Sequence, residues 1–175
     1  MNNPKPIEWI ENKHAKTIKK SPAAAELLPT GISRLTRSFH RQIPGYKISP
    51  LKGLPHLANM LGVGGIWVKD ESVRLSLSSF KVLGGSFAIY RYLKSRLGID
   101  HLEIPFAELT SPDTRAKLGP LVFAAATDGN HGRGVAWSAT QLGFKAIIYV
   151  HKHTSQNRIR AIEKMVEKWS LLTGL

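Results

Sequence analysis

The sequence predicts an α/β fold, a parallel sheet with flanking helices. Three observations carry that prediction. Leu121–Thr127 is an apolar run of strand length. It leads through the polar loop TDGNHGRG into Val135, Ala136, Ala139 and Leu142, which recur at helical spacing with Gly143 at the exit. A second apolar run, Ala146–Val150, follows directly. Strand, loop, helix and strand in that order form the repeating unit of a parallel sheet. Ligands of such sheets sit beyond the carboxyl ends of the strands, where the loop falls. Asp128, Asn130 and His131 stand together in it, ahead of a helix N-terminus that favours an anionic group. The loop's glycines let backbone amides approach a ligand. Gly, Asn and Asp also build ordinary turns. The density of chemically capable side chains is what favours a site.

The preceding elements read in order as follows. Pro4, Pro6, Pro22 and Pro29 break up residues 1–31, leaving Ile7, Trp9 and Ile10 as an extended arm and Ala23–Leu28 as a short helical stretch. Ile32–Ile43 carries Leu35 and Phe39 four apart and reads as a helix that Pro44-Gly45 stops. Tyr46–Leu51 is extended, since a residue before proline avoids helical angles. Leu54, Leu57, Ala58 and Leu61 share a helical face between Pro55 and Gly62. Ile66–Lys69 is a short strand running into the polar cluster Asp70-Glu71-Ser72. Leu77–Gly85 opens the next helix, with Ser78 or Ser79 as its N-cap. Phe87, Tyr90, Leu93 and Leu97 form its buried stripe before Gly98.

Lys81 lies in the first turn of that helix, among Phe80, Val82 and Leu83. The helix dipole and apolar neighbours both disfavour a protonated ammonium there and suit a nucleophilic amine. A lysine can equally carry its charge out to water. Residues 99–120 read as an excursion anchored by Ile104, Phe106 and Leu109, with a turn or short helix from Ser111-Pro112-Asp113. After Val150, HKHTSQ is a loop, and Ile159, Ile162 and Met165 or Val166 line a basic helix capped by Thr154 or Ser155. The last residues read as no finished element, so the further strand that the pattern needs is expected to be missing.

Composition limits the function. The 175 residues suffice for one domain or part of a larger protein, and 42% hydrophobic residues suffice for a core. The net charge of +13 suits an anionic partner or a solvated basic surface. A basic nucleic-acid-binding module stacking bases on Trp137 or Trp169 is the non-enzyme alternative. No aromatics interleave a basic stretch, so no nucleic acid is expected. The lack of cysteine excludes disulfides, thiolate zinc sites and a cysteine nucleophile. The seven histidines follow no metal-site spacing, so no metal is expected, and His151 and His153 form only a two-histidine loop. No apolar run approaches 18 residues and the N-terminus lacks a signal core, so no membrane and a cytoplasmic location are expected.

HRQIPGYKISPL, WVKDES, SSFKVLGGSFA and TDGNHGRGVAWSATQLG together resemble the fold-type-II pyridoxal-phosphate enzymes, the tryptophan-synthase-β and threonine-dehydratase group. Within that group they are most similar to the diaminopropionate ammonia-lyases. Aspartate in TDGN separates these from serine and threonine dehydratases, the alternative reading, where serine usually stands. The resemblance implies pyridoxal 5'-phosphate as cofactor and a small amino acid as substrate. It also implies homodimeric full-length relatives, and α,β-elimination of 2,3-diaminopropionate to pyruvate and ammonia. Lys81 matches the lysine that forms the Schiff base with the cofactor. Asn130 matches the asparagine that hydrogen-bonds its ring oxygen. Asp128 matches the aspartate that takes a proton, chiefly from the D-isomer.

The sequence departs from the family in three places. Ser76 and Ser78 stand where relatives carry glycine and asparagine, HKHT replaces a proline- and glycine-containing loop, and the match fades after Met165. The family's chains are more than twice this length, with the phosphate loop and a second catalytic aspartate in their downstream half. The resemblance therefore implies an N-terminal arm and linker over 1–38 and an incomplete, truncated enzyme domain over 39–175. It implies no turnover by these residues alone, and apolar surface exposed around Phe123, Ile147 and Trp169.

Overall fold

The computed structural model describes residues 11–14, 30–165 and 172–173. The arm at Ile7–Ile10, the helical stretch Ala23–Leu28 and Trp169 lie outside them. The chain divides into two compact units, Met1–Ser33 and Arg34–Leu175. In the first, residues 11–14 turn on a bond from the His14 amide to Asn12 Oδ1 at 3.1 Å.

In the second unit, helix α1 (Ile32–Gln42), which begins just before it, buries Phe39 and His40. A two-stranded antiparallel ribbon pairs β1 (Leu51–Gly53) with β2 (Trp67–Lys69) around helix α2 (Pro55–Leu61). Gly62 ends α2 in the left-handed region, as its place after Leu61 predicts. Only Ala58 of α2 is buried, while Leu57 and Leu61 stay exposed. A 3₁₀ segment, Glu71–Ser76, leads to helix α3 (Lys81–Arg96), and the short helices α4 (Phe106–Leu109) and α5 (Pro112–Leu118) follow. Ser111 caps α5 by accepting from the Thr114 amide.

Strand β3 (Val122–Ala126), helix α6 (Asn130–Gln141) and strand β4 (Lys145–Val150) form the expected unit, and β3 pairs parallel with β4, Val122 opposite Lys145. Helix α7 (Gln156–Glu163) follows. The expectation of a missing strand fails. Strand β5 (Leu172–Thr173) pairs parallel with β4, giving the order β3-β4-β5. Two paired residues are too short for any hydrophobic period to reveal.

The pleat sends Phe123, Ala125, Ala146, Ile148 and Val150 to one face, against α6. The opposite face carries Val122 and Tyr149, 52% and 40% exposed. Ile147, half-buried, shares that face, so the exposed apolar surface lies around Val122, Ile147 and Tyr149, and Phe123 turns to the other side. Phe123 is half-buried edge-on to Tyr92 and Phe144. In α3, Tyr90 and Leu93 are fully buried and Phe87 and Leu97 partly so. Phe39 stacks on Tyr90 at 4.2 Å, joining α1 to α3.

The segment entering α3 is held in an unusual backbone path. Leu75, Ser76 and Ser78 adopt φ of 47°, 58° and 52°. Glycine and asparagine tolerate this left-handed region best. The glycine and asparagine that the family resemblance implies at these two positions would suit this path better than Ser76 and Ser78 do. Ser78 gains a bond from its hydroxyl to the Ser72 carbonyl at 2.8 Å. Ser76 is exposed. Ser76→Gly is expected to stabilise the chain by about 1 kcal/mol, and Ser76→Val to destabilise it. Urea midpoints that move together for the two variants would contradict the strain.

Candidate active site

Helix α6 begins at Asn130, five residues before Val135, where the apolar spacing starts. Gly132 and Gly134 therefore lie within the helix and not in a loop. A Cβ on Gly132 would stand 2.8 Å from Thr127 Cγ2 and 2.9 Å from Ile148 Cγ2, so glycine lets α6 press onto the strands. A Cβ on Gly134 would stand 2.9 Å from Val82 Cα and 3.3 Å from the Lys81 carbonyl carbon. From the facing side Gly85 lies over Val135, where an added Cβ would meet Cγ2 at an ordinary 3.5 Å. This glycine seam brings the first turn of α3, with Lys81, against α6 at Gly134, one turn beyond Asn130.

Lys81 heads α3, and its side chain is exposed. Phe80 beside it is 63% exposed, so apolar neighbours do not enclose the amine as the sequence suggests. The N-cap position is Phe80, not Ser78 or Ser79. The Ser79 hydroxyl still reaches into the turn and accepts from the Lys81 amide at 3.3 Å.

Asp128 and Asn130 share a cleft of about 380 Å³, lined also by Gly129, Arg133, Asn157, Arg158 and Ala161. Lys81 is not among its lining residues and stands across the glycine seam. Arg158 Nη1 donates to Asp128 Oδ2 at 2.6 Å, both groups being more than half exposed. Arg133 Nη1 donates to Asn130 Oδ1 at 3.1 Å. With that oxygen engaged, Asn130 offers a ligand its Nδ2 donors. No side chain caps α6, which leaves its first amides for an anion.

Sequence reasoning missed Arg133 and Arg158. The signal for Arg158 was topological. Loops after adjacent parallel strands lie side by side, so the start of α7 must approach the turn after β3. The His151 and His153 rings lie 5.0 Å apart, and His151 Nδ1 accepts from the His153 amide. Among the described residues no three His, Asp or Glu side chains group to hold a metal, and no helix is long and apolar enough to cross a membrane.

A second polar cluster lies in the segment that leads into α3. Arg74, only 4% exposed, donates from Nε to Glu71 Oε2 at 2.7 Å and from Nη1 to the Lys47 carbonyl at 2.8 Å. Its Nη2 donates to Ser49 Oγ and Glu71 Oε1, and the guanidinium lies 5.2 Å from the centre of the Tyr46 ring. Arg74 holds the Glu71 carboxyl below the ordinary carboxylate range.

These features define a class. Residues 43–167, which include the Lys81 turn and the Asp128 turn, match the family model of the pyridoxal-phosphate dependent enzymes, and the chain belongs to that family. Within it the chain is 46% identical over 140 residues to the diaminopropionate ammonia-lyase of Salmonella typhimurium, covering 80% of this chain and 35% of that protein. It is 46% identical over 130 residues to the Escherichia coli K12 diaminopropionate ammonia-lyase, covering 74% of this chain and 32% of that protein. The crystal structure of the Escherichia coli enzyme in apo form superposes with a TM-score of 0.73 at 42% identity, over 84% of this chain and 38% of that one. The chain thus spans about a third of the length of the curated relatives it matches.

The side chains present suit pyridoxal phosphate. An exposed primary amine heads one helix, and amide donors and an uncapped helix start lie on the next. These are the groups a carbonyl carbon and an anionic ring oxygen require.

Proposed function

We propose that these residues carry the lysine side of an ammonia-lyase site that eliminates ammonia from 2,3-diaminopropionate and yields pyruvate. The observation that carries the proposal is the glycine seam that sets the Lys81 turn against α6 at Gly134. Lys81 holds the cofactor through its amine, and Asn130 donates to the ring oxygen. Pyridoxal phosphate, when bound, supplies an electron sink for the carbanion that forms at the substrate's Cα. Asp128 takes the Cα proton of the D-isomer on one of its oxygens while Arg158 holds the other. The reading carries with it the arm at 1–38 and the domain from 39 onward. It also carries the homodimeric assembly that the resemblance implies, and the cytoplasmic location and lack of a nucleic-acid partner that the composition leads one to expect.

The test is cofactor capture. The chain is incubated with pyridoxal phosphate, reduced with borohydride and mapped by peptide mass. Lys81 is expected to carry most of the adduct, and Lys81→Ala to lose it while keeping its fold. An adduct spread evenly over the surface lysines, with no preference for Lys81, would overturn the assignment.

A further inference from the structure

The turn that carries Lys81 is weakly specified by its own sequence. Its N-cap residue, Phe80, makes no side-chain cap bond. The backbone just before it is left-handed at Ser76 and Ser78, and Gly84-Gly85 follow within one turn. A lysine at the head of a helix opposes the dipole. The turn must therefore be held from outside. On one side α6 abuts it at Gly134. On another stands His40 of α1, only 4% exposed, with Nε2 at 2.9 Å from the Leu83 carbonyl oxygen and 3.1 Å from Ser86 Oγ. The carbonyl only accepts, so Nε2 carries the hydrogen and donates. The Ser86 hydroxyl donates to the same carbonyl at 3.2 Å. The imidazole packs beside the Phe39 and Phe87 rings, 5.3 and 6.2 Å away.

We propose that His40 is a positioning residue for Lys81: by donating to the Leu83 carbonyl it pins the first turn of α3 in the place where the lysine amine can meet the cofactor. The inference rests on the assignment of Lys81 above. Burial supports it independently, since it pushes the imidazole below its ordinary pKa and favours the neutral ring with one donor nitrogen. A buried histidine here needs some partner. Its choice of a carbonyl two residues beyond Lys81, and not a surface group, ties α1 to the site.

The experiment compares His40→Phe, which keeps a ring of similar size without the donor, with His40→Gln, whose Nε2 reaches a similar place. In the 175-residue chain, the ratio of borohydride-trapped adduct at Lys81 to adduct at all other lysines is measured, with amide hydrogen exchange over residues 82–88. His40→Phe is expected to lower the ratio about tenfold, within the roughly 100-fold that a 1 Å misplacement can cost. It is also expected to speed exchange in that segment. His40→Gln is expected to restore both. A His40→Phe chain that keeps its Lys81 preference and slow exchange overturns the proposal. If His40→Phe does not fold, His40→Asn, polar but too short to reach Leu83, replaces it, and equal ratios for Asn and Gln overturn it. Loss of adduct in Lys81→Ala alongside a normal His40→Phe would refute the pin alone. Retention of adduct in Lys81→Ala would refute the lysine assignment.

Discussion

Arg74→Ala is expected to cost about 3 kcal/mol, the low end for removing one partner of a buried ion pair, because Glu71 is only half-buried. The guanidinium spends its donors on Glu71, Ser49 and the Lys47 carbonyl, and no water-exposed route replaces them. Alanine leaves the Glu71 carboxylate without its cation and the Lys47 carbonyl without its donor. It also releases the path through Leu75, Ser76 and Ser78, whose left-handed angles persist because the surroundings hold them. Arg74→Lys is expected to recover only part of the loss, since one ammonium cannot serve three partners in the plane of a fork. Arg74→Met with Glu71→Gln is expected to be milder than Arg74→Ala, because it removes both charges. Urea unfolding of the four chains tests this. An Arg74→Ala midpoint within error of the parent would show that the cluster is held by backbone packing alone.

Gly134→Val is expected to cost about 1–3 kcal/mol, the usual penalty for overpacking, and to displace Lys81. The atoms a Cβ would meet are Val82 Cα at 2.9 Å and Val82 N at 3.1 Å, backbone that cannot rotate away. Helix α3 must move as a body, taking Lys81 with it. The internal control is Gly84, where nothing lies within 4 Å of the added carbon. Gly84→Ala is expected to stabilise the chain by about 1 kcal/mol through helix propensity. Thermal melts of both variants, with the Lys81 adduct ratio, provide the check. A Gly134→Val chain as stable as Gly84→Ala would mean that the two helices do not meet as closely as the seam requires.

Much of this architecture was legible in the chain itself. The apolar runs Leu121–Thr127 and Ala146–Val150 and the helical spacing from Val135 to Leu142 specified two parallel strands and the helix between them, because burial forces side-chain period to match backbone period. Gly62, Gly98 and Gly143 marked helix exits, and each has positive φ. The motifs around Lys81 and Asp128 pointed to the family. Other features were settled only by contacts between distant segments. The helical role of Gly132 and Gly134 depends on Thr127, Ile148 and Val82, which no local window contains. The pairing of Asp128 with Arg158 follows from a parallel crossover that returns the chain 30 residues later. His40 opens the family-like stretch HRQIPGYKISPL, but nothing in that stretch tells what its ring binds. Its meaning comes from a carbonyl 43 residues away, because a buried polar group takes whatever partner the packing supplies.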